Sequence, residues 1–328
     1  MPVTFVEREI GGRTLRLETG RVAKLASGAV MASYADSTVM ATCVRSNPRP
    51  GIDFFPLQCD YREKLTAAGK FPGGFRKREG APNEKEVLTM RMMDRPIRPL
   101  FPDGFIDEIQ IQAWVMSHDG QNDTDVLACT AGSAAVCLTD APFMGPVATV
   151  RVGRIMTDDG EVFVLNPTVA QMEYSDLDLV LSGHPNGINM IEVGAAEVED
   201  DVVLDAIRFG LEEGIKPIVE LVLELREKCG APEANPGPLH VPADEVMQTV
   251  KDKVYDRLVE ARKIHGKKER NEKVGELRDE VMHDCFALPQ DAPYAEYKAA
   301  EDRRGQAKDA FRTLEKKVTH MLVAEHGI

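Results

Sequence analysis

At CGAPEANPGPLH, residues 229–240, the chain changes character, and no single sheet or bundle accommodates both sides of the change. Three prolines and two glycines in twelve residues read as a linker. Before it, strand and helix signals alternate. Thr14 to Glu18 alternates polar and apolar, as do parts of 29–46, where Asp36-Ser37 is placed to turn a hairpin. Ile109, Ile111, Ala113 and Val115 mark a half-buried strand. NDTDVLACTAGSAAVCL follows as a helix of small residues with an Asp or Asn cap, able to pack closely. Further strands are expected over 147–155, 162–165, 177–182 and 188–193, and helices around 200–212 and 217–228.

Beyond the linker the pattern is helical throughout. Val246, Val250, Val254, Leu258 and Ala261 recur at spacings of three or four, as do Phe311, Leu314, Val318, Met321 and Leu322, amid dense charge. The expected class is α+β over 1–230, a linker over 229–240, and a small all-α domain over 241–328. At 328 residues, each part is long enough to bury its own core.

No apolar run approaches the ~20 residues of a membrane span, and MPVTFVEREIGG has neither a signal-peptide core nor transit-peptide character. The cytoplasm is the expected location. The six cysteines, at 43, 59, 129, 137, 229 and 285, form no CxxC pair, and mostly apolar neighbours read them as small buried hydrophobes. The seven histidines form no ligand pair, so no zinc site is expected.

The formal net charge of -14 argues against a polyanionic partner, but charge is unevenly spread. Between Arg62 and Arg98 stand ten Lys/Arg against five Asp/Glu, a local excess of +5. Its centre is GKFPGGFRKREGAPNEKE, residues 69–86, where Gly73 and Gly74 give a pliable backbone and Pro72 and Pro82 bracket it. Arg76, Lys77 and Arg78 are candidate phosphate contacts. The Phe75 ring either anchors the loop or stacks on a base. Asn83 with Glu86 fits a capping box, so a helix starts near 84 and should stop before Pro96. Arg91 and Arg95 share a face of it, and Arg98 follows the proline. Three arginines so close can present bidentate donors to phosphate; alternatively Arg95 pairs with a neighbouring acid. No Walker A loop or GxGxxG stands in the required context.

Residues 54–105, FFPLQCDYREKLTAAGKFPGGFRKREGAPNEKEVLTMRMMDRPIRPLFPDGF, closely resemble the first core of the bacterial polynucleotide phosphorylase family. LETGRVAKLASGAVMASYADSTVMAT, NDTDVLACTAGSAAVCLTDAPFMGPV and VLNPTVAQMEYSDLDLVLSG continue the resemblance, which runs in order from 1 to about 325. It implies an RNase PH-like α+β core followed by the family's all-helical domain. It also implies a homotrimeric ring that degrades single-stranded RNA from the 3' end with inorganic phosphate and releases nucleoside diphosphates reversibly, assisted by Mg2+. Degradation-complex partners are unknown from sequence, and no membrane partner is expected.

In the family, catalysis resides in a second core carrying a phosphate-binding serine run and metal-binding aspartates, and this sequence stops at EHGI, where that core should begin. Here Asp123, Thr124 and Asp125 stand where the serines would be, and aspartates there repel phosphate. Asp178 is kept in SDLDLVLSG, but Val180 replaces a lysine. The resemblance therefore implies a catalytically silent first core with no catalytic or metal-binding residue in this chain. Its expected role is RNA guidance by Phe75, Arg76, Lys77, Arg78, Arg91, Arg95 and Arg98. The alternative is a non-catalytic RNA-binding ring subunit of an exosome-like complex.

Overall fold

A computed structural model describes residues 2–49, 52, 54–75, 77–157, 160–289 and 291–327. Arg76, one of the candidate RNA contacts, lies outside the described residues. The chain divides into two units, Met1–Leu239 and His240–Ile328.

The first unit holds two sheets. Strands β1 (Thr4–Ile10), β2 (Arg13–Thr19), β3 (Gly28–Tyr34), β4 (Ser37–Ser46), β5 (Leu57–Arg62) and β6 (Glu108–Ser117) form one, in the order β1-β2-β3-β4-β6-β5. Only β5 and β6 run parallel within it. Their connection carries the basic loop and helix α1 (Glu84–Ile97). Helix α2 (Asp125–Cys137) follows β6. Next come β7 (Ala148–Thr157), β8 (Gly160–Leu165), the single turn α3 (Val169–Met172), β9 (Ser175–His184) and β10 (Gly187–Ala195). These four strands make an antiparallel sheet ordered β10-β9-β7-β8.

All thirteen residues of α2 are buried, which its apolar and small side chains permit on every side. It packs on β3, β4 and β6 of one sheet and on β7 of the other, so one helix fills the space between the layers. Helices α4 (Asp200–Phe209) and α5 (Lys216–Cys229) then cover the second sheet and part of the first.

Four local expectations need correction. The β3–β4 hairpin turns at Ala35-Asp36, one residue earlier than expected, because Tyr34 pairs with Ser37; Ala35 accepts a left-handed φ of 49° to allow it. Helix α1 does not stop before Pro96 but runs to Ile97, with Pro96 buried in its last turn. A proline there forfeits one bond near the helix end, and its own carbonyl accepts from the Asn189 amide (3.0 Å). The residue at the N-cap of α2 is Thr124, not the expected Asp or Asn, and it makes no side-chain cap bond. Its hydroxyl instead meets the Tyr61 hydroxyl at 2.7 Å. Finally, α4 and α5 are not separate, because a π-helical segment, Gly210–Ile215, joins them.

Residues 229–239 are held to the first unit despite their linker-like composition. The Asn235 amide donates to the Asp140 carbonyl (2.7 Å), and Arg45 donates to the carbonyls of Asn235 and Asp140 (2.8 and 3.0 Å). Arg45, nearly enclosed, also pairs with Asp107 and lies over the Phe105 ring.

The second unit is three helices, α6 (Asp244–Arg262), α7 (Lys267–Asp284) and α8 (Tyr294–His326). The expected stripe Val246, Val250, Val254, Leu258 and Ala261 is its buried seam. It meets Val274, Leu277 and Val281 of α7 and Phe311, Leu314, Val318 and Leu322 of α8. Met321 is only partly buried at the edge of this core. Of the cysteines, 43, 59, 129 and 137 are buried, whereas Cys285, at the end of α7, is exposed. No helix among the described residues is long and apolar enough to cross a membrane.

Candidate nucleic-acid interface

The basic loop is fixed at its root and open at its tip. On the incoming side, a 3-10 turn over Leu65–Ala68 is held by the His118 amide, which donates to the Ala67 carbonyl (3.1 Å). Gly69 closes that turn in a left-handed conformation, and the Lys70 amide donates to the Leu65 carbonyl (3.0 Å). The outgoing strand is tied back in two places. Leu65 donates its amide to Glu79 (3.0 Å), and Arg62 donates to the Gly80 carbonyl (2.9 Å). The capping box then forms as its spacing predicts, with Glu86 donating its amide to the Asn83 side chain and Asn83 donating its amide to Glu86. Glu86 is nearly fully buried, and its other oxygen accepts the Glu63 amide and lies 3.1 Å from Arg62 Nε.

Between these ties Phe75 is fully exposed, and Lys77 and Arg78 are exposed as well. Of the two readings for the Phe75 ring, anchoring is not seen, since among the described residues the ring is fully exposed. Gly74 and Lys77 both take left-handed backbone (φ 72° and 46°), for which Lys77 forgoes about 1–2 kcal/mol. Among the described residues, Lys77 and Arg78 have no carboxylate partner within salt-bridge distance.

The three arginines of the α1 region differ. Arg91 is exposed and has no carboxylate partner among the described residues. Arg95 pairs with Glu192 of β10, not with its neighbour Asp94. Arg98 takes Asp94 instead, donating to both carboxylate oxygens (2.6 and 2.7 Å) and to the carbonyls of Phe55 and Leu57 (3.1 Å each). With its guanidinium engaged on four acceptors, Arg98 is a brace between α1 and the chain entering β5.

Arg91 and Arg95 border an open groove of about 670 Å³, lined also by Lys85, Asp123, Asp125, Arg151 and Asp178. Here lies the arrangement that sequence reasoning missed. Arg151 projects from β7 and is held by three aspartates: Asp125 at 2.8 Å, Asp178 at 3.0 Å and Asp123 at 3.2 Å. Lys85 adds a second cation, 2.8 Å from Asp123 and 3.0 Å from Glu63. Burial opposes the charge of Asp123, but Lys85 and Arg151 outweigh it and hold its carboxyl below the usual range. Asp125 is enclosed, and burial pushes its carboxyl above the usual range despite the pull of Arg151. Burial likewise opposes the charges of Lys85 and Arg151, and the surrounding carboxylates raise both.

Val180, where an active core would carry a lysine, lies directly opposite Arg151 in the β7–β9 ladder, so the two project from the same face. On this face Arg151 is the cation beside Val180, and three carboxylates surround it. A divalent metal does not fit among aspartates that surround a guanidinium. One sequence signal was available: a lone arginine flanked by valines in ATVRVG sits where a buried strand should be apolar.

The fold and these residues define an RNase PH-like protein. The chain belongs to the 3' exoribonuclease family, whose domain 1 model matches residues 11–142 and whose domain 2 model matches 145–213. The first range holds β2 to β6 of the six-stranded sheet and α2, with β1 just before it, and the second holds the four-stranded sheet and α4. A model described as the RNA binding domain of polyribonucleotide nucleotidyltransferase matches 245–327, the three-helix unit. Along its length the chain is similar to proteins named polyribonucleotide nucleotidyltransferase. It is 45% identical to that of Rhodopirellula baltica over 285 residues (87% of this chain, 37% of the relative). It is 42% identical to that of Acidiphilium cryptum over 327 residues (98% and 43%) and 41% identical to that of Caldicellulosiruptor saccharolyticus over 328 (100% and 44%). The chain thus spans about two-fifths of the length of these relatives.

Proposed function

We propose that these 328 residues guide single-stranded RNA within a 3'-to-5' phosphorolytic exoribonuclease, and that bond cleavage belongs to a second core outside them. Inorganic phosphate would attack the terminal phosphodiester there, forming a new P–O bond as the bond to the preceding ribose oxygen breaks and a nucleoside diphosphate leaves. The part given to this chain is to grip the strand and to scaffold a homotrimeric ring. The observation that carries the reading is the loop fixed at its root and bare at its tip, where Phe75, Lys77 and Arg78 stand unpartnered among the described residues. A ring face stacks on any base, and adjacent cations hold the backbone without reading sequence. Arg91 extends this path toward the groove; Arg98, braced on Asp94, does not.

The silence of this core rests on Arg151. Its guanidinium is spent on Asp123, Asp125 and Asp178, so it offers nothing to an incoming phosphate, and the net acid excess of those carboxylates disfavours one. No step is assigned to a metal here, because Arg151 already occupies the space between the three aspartates.

Changing Lys77 and Arg78 together to Ala is expected to weaken binding of single-stranded RNA. The plot of log affinity against log salt should become shallower by about 1.4, at about 0.7 for each phosphate no longer neutralised. Titrations of a labelled oligoribonucleotide at several salt concentrations measure this directly, and an unchanged slope would return both cations to an ordinary solvated surface.

A further inference from the structure

Phe71 is the second ring on the basic loop, four residues before Phe75, and 77% of it is exposed. The sequence alone did not single it out. The backbone ties on either side give it a different standing. Lys70 is bonded through its amide to Leu65, and Glu79 accepts from Leu65, so both rings lie on the tip that those bonds bracket. Neither ring stacks on another aromatic side chain among the described residues. By contrast, Phe55, Phe101 and Phe105, which flank α1, cluster at centroid distances of 4.6–5.4 Å. The loop therefore displays two large apolar faces while nearby phenylalanines are packed.

We propose that Phe71 is a second base-stacking platform, working with Phe75 to hold two bases of one RNA strand. The inference rests on the RNA-guiding reading above. The occupant is identified by the chemistry beside the rings. Lys70, Lys77 and Arg78 are all exposed at the same tip, and cations interleaved with aromatic faces match a chain of phosphates carrying stackable bases. Four residues of extended chain reach at most about 13–14 Å, so the two rings can serve one short stretch of a single strand.

The two residue types predict separable signatures. Phe71→Ala in the full chain is expected to weaken binding of a single-stranded oligoribonucleotide about tenfold while leaving the salt slope unchanged, since every phosphate keeps its cation. Phe71→Trp should restore the affinity, and an oligonucleotide stripped of its bases should bind the wild type and Phe71→Ala alike. If Phe75→Ala and the Lys77/Arg78 double variant weaken binding while Phe71→Ala does not, the inference is overturned and the RNA-guiding reading survives. If none of these variants changes affinity, both fall. If Phe71→Ala changes the mass of the assembly in solution and not its RNA affinity, the ring is a contact between copies of the chain, and the inference is overturned.

Discussion

Replacing Arg151 with Met is expected to destabilise the first unit by about 3–5 kcal/mol, because it strands buried carboxylates without their cation. Asp125 is 5% exposed and Arg151 is its only side-chain partner among the described residues. Lys85 still serves Asp123, and Asp178 is half in solvent, so the loss concentrates on Asp125. The sign of the pH dependence follows from the two carboxyls. In the wild type, Asp123 is held low, so its contribution is present above the unfolded carboxylate range and is lost on acidification. In the variant, Asp125 is raised further, so its folded form is favoured by protonation and its penalty grows as pH rises. Denaturant titrations of the two proteins should therefore converge as pH falls from about 7 toward about 5. Adding Asp125→Asn to Arg151→Met should recover part of the loss at neutral pH. A variant as stable as the wild type at neutral pH would show that Arg151 does not offset the buried charge of Asp125.

Gly28→Ala is expected to be the next most damaging change, at about 1–3 kcal/mol. Gly28 opens β3 under the C-terminal half of α2, and a Cβ there would come within 2.2 Å of the Ala135 carbonyl oxygen and 3.0 Å of Thr139. The first obstacle is helix backbone, so no rotamer change relieves it, and α2 would have to shift away from the sheet. The usual gain from stiffening the unfolded chain, about 0.4–1 kcal/mol, does not offset this. Because α2 is the packing element shared by both sheets, the lowered midpoint should appear in a single unfolding transition of the first unit. A midpoint equal to wild type would mean that the helix has slack the packing does not suggest.

Much of this architecture was legible from local pattern. The alternation in EIQIQAWVMS became a strand with its isoleucines fully buried, and the small-residue run after it became the helix between the sheets. The Asn83–Glu86 capping box and the Val246-to-Ala261 stripe depend on spacings of three or four residues, which sequence displays directly. What failed depended on distance. Arg151 meets Asp123 and Asp125 across 28 and 26 residues, and Arg95 meets Glu192 across 97, pairings that only the sheet order creates. The Asp94–Arg98 pair is local, four residues apart, but the bonds from Arg98 to the carbonyls of Phe55 and Leu57 span 43 and 41 residues and follow from the fold alone. The loop tip was legible in chemistry but not in exposure. Sequence could not say whether Phe75 points into the core, and nothing in it singled out Phe71.

The central claim is that this chain holds RNA without cutting it. The direct measurement incubates the 328-residue chain with 5'-labelled single-stranded RNA, inorganic phosphate and Mg2+, following retention of the RNA and release of nucleoside diphosphate in the same sample. Wild type should retain the RNA, the Lys77/Arg78 double variant should retain less of it, and neither should release nucleoside diphosphate. Phosphate-dependent release of nucleoside diphosphate by the chain alone would contradict the claim.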